Sequence, residues 1–178
     1  ANLIAPFGGK LVDLVLTGEE REQELARAAH LPSIKITMRN LCDLELLATG
    51  GFSPLTTFMG KADYERVLHE MRLADGTLWP LPLTLTADPK DLPTVGEDIV
   101  LRNANNDVIA ILTLDEVFHW DAETEAAKAY GSTDSRHPMV SEMAQWGKVC
   151  ISGPLKVLNL PKYYDFVELR RTPAEVRQ

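Results

Sequence analysis

The sequence predicts an α+β fold, and three observations carry that reading. Tyr64, Val67, Leu68 and Met71 recur at i, i+3, i+4 and i+7, the stripe of a helix packed on one side. Two β-rich runs, residues 98–102 and 108–113, flank Asn103-Ala104-Asn105-Asn106-Asp107, whose asparagines tolerate the left-handed backbone of a tight connection. Strands and helices do not alternate in a βαβ rhythm, so antiparallel pairing is expected.

Taken in order, residues 11–16 read as a strand. Thr17-Gly18-Glu19-Glu20 then matches a capping box, with Thr17 as the cap and Glu20 reaching back, which predicts a helix over 19–29 that Pro32 terminates. Ile34, Ile36 and Met38 alternate with polar neighbours as a short strand does. Asn40 is placed to cap a helix over 41–49, and Gly50-Gly51 to end it. The stripe above predicts a helix over 61–73, followed by a turn at Asp75-Gly76. Residues 78–85 are apolar but interrupted by Pro80 and Pro82, and proline cannot donate to a ladder, so an edge strand is expected. Asp121 caps a helix that Gly131 ends; Pro138 opens another that runs to Gly147. Short strands at 149–151 and 155–158 are separated by Gly153-Pro154. The tail, 170–178, is polar, with Thr172 placed to cap a helix from Pro173 to Arg177.

With 178 residues, 45% hydrophobic and 25% charged, the chain suffices for one domain with a core and lies far from disordered compositions. Its formal net charge of -8, from 18 basic and 26 acidic residues, repels polyanions and argues against nucleic acid or anionic membranes as partners. No run approaches the roughly 18 apolar residues of a membrane span, and a cytoplasmic protein is expected. Cys42 and Cys150, both in apolar surroundings, read as buried free thiols.

Familiar catalytic patterns do not appear. Gly8-Gly9-Lys10 lacks the earlier glycine and the following Ser or Thr of a phosphate loop and reads as a turn. His30, His69, His119 and His137 have no metal-binding spacing. The carboxylate pairs Asp43 with Glu45 and Asp115 with Glu116 read as solvated or capping groups. No catalytic, cofactor-binding or metal residue is assigned. One stretch is richer than the rest: the amphipathic helix from Arg39, its glycine turn, then Phe52-Ser53-Pro54-Leu55 and Phe58-Met59. Core packing is one reading. The other is a docking surface for a neighbouring domain, carried by Arg39, Asp43, Phe52, Phe58 and Met59.

These same residues resemble a known family. Cys42-Asp43-Leu44-Glu45-Leu46-Leu47, Gly50-Gly51-Phe52-Ser53-Pro54-Leu55 and Phe58-Met59 are similar to the signature of the amino-terminal domain of ATP sulfurylases, the sulfate adenylyltransferases. Further matches follow in order: Leu73-Ala74-Asp75-Gly76-Thr77-Leu78-Trp79-Pro80, Tyr130-Gly131-Ser132-Thr133-Asp134 with His137-Pro138, Gly153-Pro154-Leu155 and Tyr164-Asp165-Phe166. Phe7 departs from the pattern, where histidine is expected before the two glycines.

The resemblance implies a PUA-like mixed β-barrel decorated with helices over 1–169, with 170–178 beginning a linker to a catalytic domain. The family's enzyme joins sulfate to the adenylyl group of ATP, giving adenosine 5′-phosphosulfate and pyrophosphate with magnesium assisting. Its Q-T-R-N-P-x-H-R-x-H segment is absent from these 178 residues, so no catalytic role transfers to them and no cofactor is assigned. The implied partners are the catalytic domain of the same polypeptide and further copies of the parent enzyme. Some relatives also carry an adenylylsulfate kinase domain. The alternative reading, a PUA-like RNA-binding or protein-interaction module, meets the objection of net negative charge in its RNA form.

Overall fold

The structure, a computed structural model, describes residues 3–178. Among the described residues, six α-helices and seven strands give the expected α+β class. The chain divides into two compact units. The first comprises the residues up to Thr57, Asp98–Thr113 and those from Pro154 onward; the second comprises Phe58–Glu97 and Leu114–Gly153. Each unit has its own sheet.

In the first unit the sheet order is β1-β3-β4-β7, with β1 Ser33–Lys35, β3 Asp98–Arg102, β4 Val108–Thr113 and β7 Leu155–Val157. The predicted hairpin is its centre. β3 and β4 pair antiparallel from Asp98 opposite Thr113 to Arg102 opposite Val108, with a bulge between Leu101 and Arg102. Asn106 takes φ 70° in the connection, and Asn103 and Asp107 are joined by both backbone and side-chain hydrogen bonds. Ile99, Val100, Leu101, Ala110, Ile111 and Leu112 are buried, as the middle of a sheet requires.

β1 lies parallel to β3, contrary to the antiparallel expectation. No tight turn joins these strands, since the whole stretch 36–97 intervenes, so hairpin geometry does not set their direction. The predicted strand over 11–16 reduces to a single parallel bridge, Val15 with Val157. Its Leu14 amide donates instead to the Ala48 carbonyl at 2.9 Å.

Helix α1, Gly18–Ala28, begins with Glu19 and Glu20 and ends with Arg27, which suits its dipole. The predicted capping box does not form: Thr17 makes no side-chain cap bond, because Gly18 enters the helix at φ 61° and turns the cap away from the first amides. The helix is tied to the sheet by charge-assisted bonds. Arg27 Nη1 donates to Asp98 at 2.5 Å, Lys156 Nζ to Glu24 at 2.5 Å, and Arg21 Nε to the Leu158 carbonyl at 2.7 Å. Ala28, Val100, Ile111 and Leu158 form the cluster beneath it, with Leu16, Leu25, Leu31 and Val108 packed around.

Helix α2, Met38–Thr49, starts three residues before the expected Leu41. Thr37, not Asn40, is the cap: its hydroxyl accepts from the Asn40 amide at 3.1 Å and donates to the Asn40 side chain at 3.1 Å. Gly50 ends the helix at φ 87°, as expected.

The second unit holds an antiparallel sheet ordered β2-β6-β5, with β2 Leu85–Ala87, β5 Glu116–His119 and β6 Val149–Ser152. Of the apolar stretch 78–85 only Leu85 joins this sheet, and Leu78 makes a lone bridge with Arg72. β5 is unanticipated by the sequence reading, which saw only the carboxylates at its start. Glu116 has a capping role: its carboxylate accepts from the Lys61 amide, 3.2 Å, at the first turn of α3, Lys61–Glu70. That helix ends early because Met71 adopts φ 54°, so Tyr64 and Val67 are buried while Met71 faces solvent.

Asp121 caps α4, Ala122–Tyr130, as predicted, accepting from the Glu123 and Thr124 amides at 3.0 and 3.2 Å. α5, Pro138–Met143, stops short of Gly147. Gly147 does not end a helix; it lies against the Ala87 backbone and donates to Thr86 Oγ1 at 3.2 Å, an approach that a Cβ would block. The sixth helix, α6, is Pro173–Val176, and Thr172 with Glu175 completes its capping box.

Gly50 and Gly96 both have left-handed φ, but only Gly50 is hemmed in: a Cβ there would stand 2.5 Å from the Val12 carbonyl oxygen, whereas none of the surroundings of Gly96 lies within 4 Å. Gly96→Ala should cost about 1 kcal/mol and Gly50→Ala about 2–4 kcal/mol in urea unfolding. Equal costs would mean that the contact with Val12 does not constrain this turn.

Candidate functional site

The face of α2 that Leu41, Leu44, Leu47 and Ala48 present is buried, which leaves Cys42, Glu45 and Leu46 on its outer side. Arg39 and Asp43 are one helical turn apart, with Arg39 Nε 3.8 Å from Asp43 Oδ2. Asp43 is half-buried. Burial pushes its carboxyl up to about 6, and the Arg39 charge opposes that rise only in part.

A polar strap covers Glu45. The Tyr163 hydroxyl donates to its carboxylate, and that bond, then burial, raises the phenol to about 12. The Arg170 guanidinium lies 3.6 Å from the centre of the Tyr163 ring and 3.3 Å from Asp165, so a cation–π contact and an ion pair hold the strap against α2. Beside it is a cleft of about 370 Å³, with Met38, Leu41, Cys42 and Ile109 on the apolar side and Asn105 and Lys162 on the polar side.

Cys42 lines that cleft and is exposed, so the expected burial of both thiols holds only for Cys150. The reason is helical phase: Cys42 falls between Leu41 and Asp43, off the buried face of α2. Burial, with the nearby Glu45 and Asp43 charges, raises the Cys42 thiol and disfavours its thiolate.

Of the five residues proposed as a docking surface, three belong to the first unit and two to the second. Arg39 and Asp43 meet on α2. Phe52 follows the same helix in the glycine turn, its amide donating to the Leu46 carbonyl at 3.2 Å, and is half-buried. Phe58 and Met59 belong to the second unit and are fully inside, 0% and 1% exposed. The Phe58 carbonyl accepts from Ser152 Oγ at 2.6 Å, and Met59 exchanges bonds with Leu83 through its amide and its sulfur. For these two, core packing is what the structure shows.

The Tyr163–Glu45 pairing has no local signal in the sequence, because its partners are 118 residues apart. A second buried polar group also escaped notice. Glu125 is 0% exposed in the second unit and accepts from Trp120 Nε1 at 2.7 Å, while Trp146 stacks on Trp120 with ring centres 5.6 Å apart. Burial and the Glu125 charge push Tyr64 well above the usual phenol range, and Cys150 likewise above that of a thiol. Among the described residues no group of three His, Cys, Asp or Glu is placed to hold a metal ion. No helix among them is long and apolar enough to cross a membrane.

Comparison with known proteins places this geometry in context. The profile of the PUA-like domain family matches residues 4–160. A sulfate adenylyltransferase of Symbiobacterium thermophilum is 43% identical, over 99% of this chain and 45% of its own length. One of Mycosarcoma maydis is 42% identical, over 98% of this chain and 32% of its own. A solved structure described as a hexameric APS kinase from Thiobacillus denitrificans superimposes with a TM-score of 0.76 at 36% identity, covering 99% of this chain and 31% of that one. The chain thus spans less than half the length of each of these proteins.

Asp43 gives the surface a pH signature. Between its ordinary 3.8 and its folded value of about 6, the native state keeps a proton that the unfolded chain has released. Its contribution to stability is therefore greatest below pH 4 and declines as pH rises through about 6. Asp43→Asn removes this dependence, so in urea unfolding the variant should match the parent at pH 4 and exceed it by about 1–3 kcal/mol at pH 8. A variant less stable than the parent at pH 8 would show that the Arg39 pairing outweighs burial.

Proposed function

The chain belongs to the PUA-like domain family, and from that premise we propose that it serves as the supporting, non-catalytic domain of a sulfate adenylyltransferase. Coverage carries the reading. Relatives bearing that name match this chain almost end to end, yet the chain accounts for less than half of each of them. In such an enzyme sulfate attacks the α-phosphorus of ATP, adenosine 5′-phosphosulfate forms and pyrophosphate departs. The groups that steady the developing charge reside in the remainder of the longer polypeptide.

The contribution of these residues is mechanical. Of the proposed docking surface, Arg39, Asp43 and Phe52 are half-buried along α2 and the turn that follows it, and the Tyr163–Arg170 strap fixes the segment that leads away from that helix. Magnesium assists the overall reaction in this reading, and no step through it is assigned to these residues. The relative described as hexameric supports assembly of the parent into an oligomer, and the cytoplasm is the setting the reading implies.

An assay of pyrophosphate release from ATP and sulfate tests the proposal. The longer polypeptide should turn over and the 178-residue chain should show no rate above background. Turnover by the chain alone would place catalytic groups within it and end the reading.

A further inference from the structure

The cleft beside the strap lies wholly within the first unit, between α2, the turn that joins β3 to β4 and the stretch 159–164. Each wall is fixed by bonds of its own. In the turn, Asn103 Nδ2 donates to Asp107 Oδ2 at 2.9 Å and the Asp107 amide donates to Asn103 Oδ1 at 2.8 Å. Asn159 accepts from Arg21 Nη2 at 2.6 Å and donates to the Val108 carbonyl at 2.7 Å, and Tyr163 is held on α2 by Glu45. The volume of about 370 Å³ stands near the lower end of the roughly 300–1,000 Å³ of small-molecule sites, which suits one compact molecule rather than a nucleotide or a peptide helix.

The floor is apolar. Leu41 and Ile109 are 5% and 3% exposed, and Met38 and Leu160 flank them in the cleft. The rim is polar and carries both signs of charge. After the bonds that fix the walls are made, the Lys162 ammonium, Asp107 Oδ1 and the Asn105 amide have no hydrogen-bond or ion-pair partner among the described residues, although all three line the cleft. Lys162 and Asp107 form no ion pair with each other, so the two opposite charges share one cleft and remain open to a ligand.

That pairing selects the occupant. A simple anion would satisfy Lys162 but would face Asp107 and the field of a chain carrying -8. A simple cation would satisfy Asp107 and face Lys162. A small zwitterion with an apolar side chain meets every requirement: its net charge is zero, its carboxylate suits Lys162, its ammonium suits Asp107, and its side chain covers the floor.

We propose that this cleft binds a free apolar α-amino acid, with the carboxylate on Lys162 and Asn105, the ammonium on Asp107 and the side chain against Leu41 and Ile109. The proposal concerns binding alone and does not depend on the adenylyl-transfer reading.

The test is a titration of the isotopically labelled 178-residue chain followed by amide chemical shifts, with leucine as the probe. Leucine should give saturable shifts at Cys42, Asn105 and Lys162 with a Kd of about 1 mM or tighter. Three analogues each remove one feature: glycine lacks the apolar side chain, leucinamide the carboxylate and N-acetyl-leucine the ammonium. Each should bind at least about threefold more weakly. Lys162→Gln should abolish the preference for leucine over leucinamide, and Asp107→Asn the preference over N-acetyl-leucine. Both positions are exposed, and circular dichroism of each variant checks that the fold persists. No saturable shift with leucine at tens of millimolar, or shifts that map away from these residues, would overturn the proposal. N-acetyl-leucine binding as tightly as leucine would make this a site for anions, leucinamide doing so a site for cations, and glycine doing so a site without a role for the floor; each of these results overturns it equally.

Discussion

Everything in the first unit hangs on the ladder between β3 and β4. β1 is laid on one side of it and β7 on the other, and both arrive from segments more than 40 residues away along the chain. Asp98, at the end of this ladder, shows how the constraint propagates. Its carboxylate accepts from Thr113 Oγ1 across the hairpin at 2.6 Å and from Arg27 of α1 at 2.5 Å, so strand pairing and helix docking share one residue. Burial would push that carboxyl up, but the two hydrogen bonds and the Arg27 charge outweigh it and hold the group below its ordinary value. Once α1 is seated over Val100 and Ile111, the extended stretch before it bridges β7 and the Leu14 amide reaches the end of α2. The outer face of α2 is thus presented by a chain of contacts that begins at the hairpin.

The second unit is organised by different means. Its sheet is small, and a buried carboxylate is part of its interior: Glu125 of α4 receives the Trp120 indole, and Tyr64 of α3 feels its charge. A buried polar group of this kind specifies one arrangement of neighbours more sharply than an apolar side chain of equal size, because its partners must face it. The same unit encloses Phe58 and Met59. Part of the conspicuous sequence stretch that continues α2 is therefore spent on packing, while Arg39, Asp43 and Phe52 of the first unit are half-buried.

What could be read from the sequence was whatever local chemistry decides. The hairpin over 98–113 announces itself through its asparagine-rich turn, Asp121 and Gly131 bracket α4 within ten residues, and Thr172 with Glu175 forms its capping box between neighbours. The misreadings involve pairings that sequence separation conceals. The parallel direction of β1, the lone bridge at Val15, the role of Gly147 against Ala87 and the grip of Tyr163 on Glu45 all depend on partners tens of residues away. Cys42 is different: its exposure follows from helical phase alone, since the predicted helix over 41–49 already sets Leu41, Leu44, Leu47 and Ala48 on one face and Cys42 off it. The expected family and the α+β class survive these corrections, because ordered motifs and element content tolerate shifts of a few residues at each boundary.

The central proposal is that these residues furnish a scaffold, with the reacting groups elsewhere. Calorimetric titration of the 178-residue chain with ATP and with adenosine 5′-phosphosulfate tests it most directly. No saturable heat is predicted for either compound, and a one-to-one isotherm with either would contradict it.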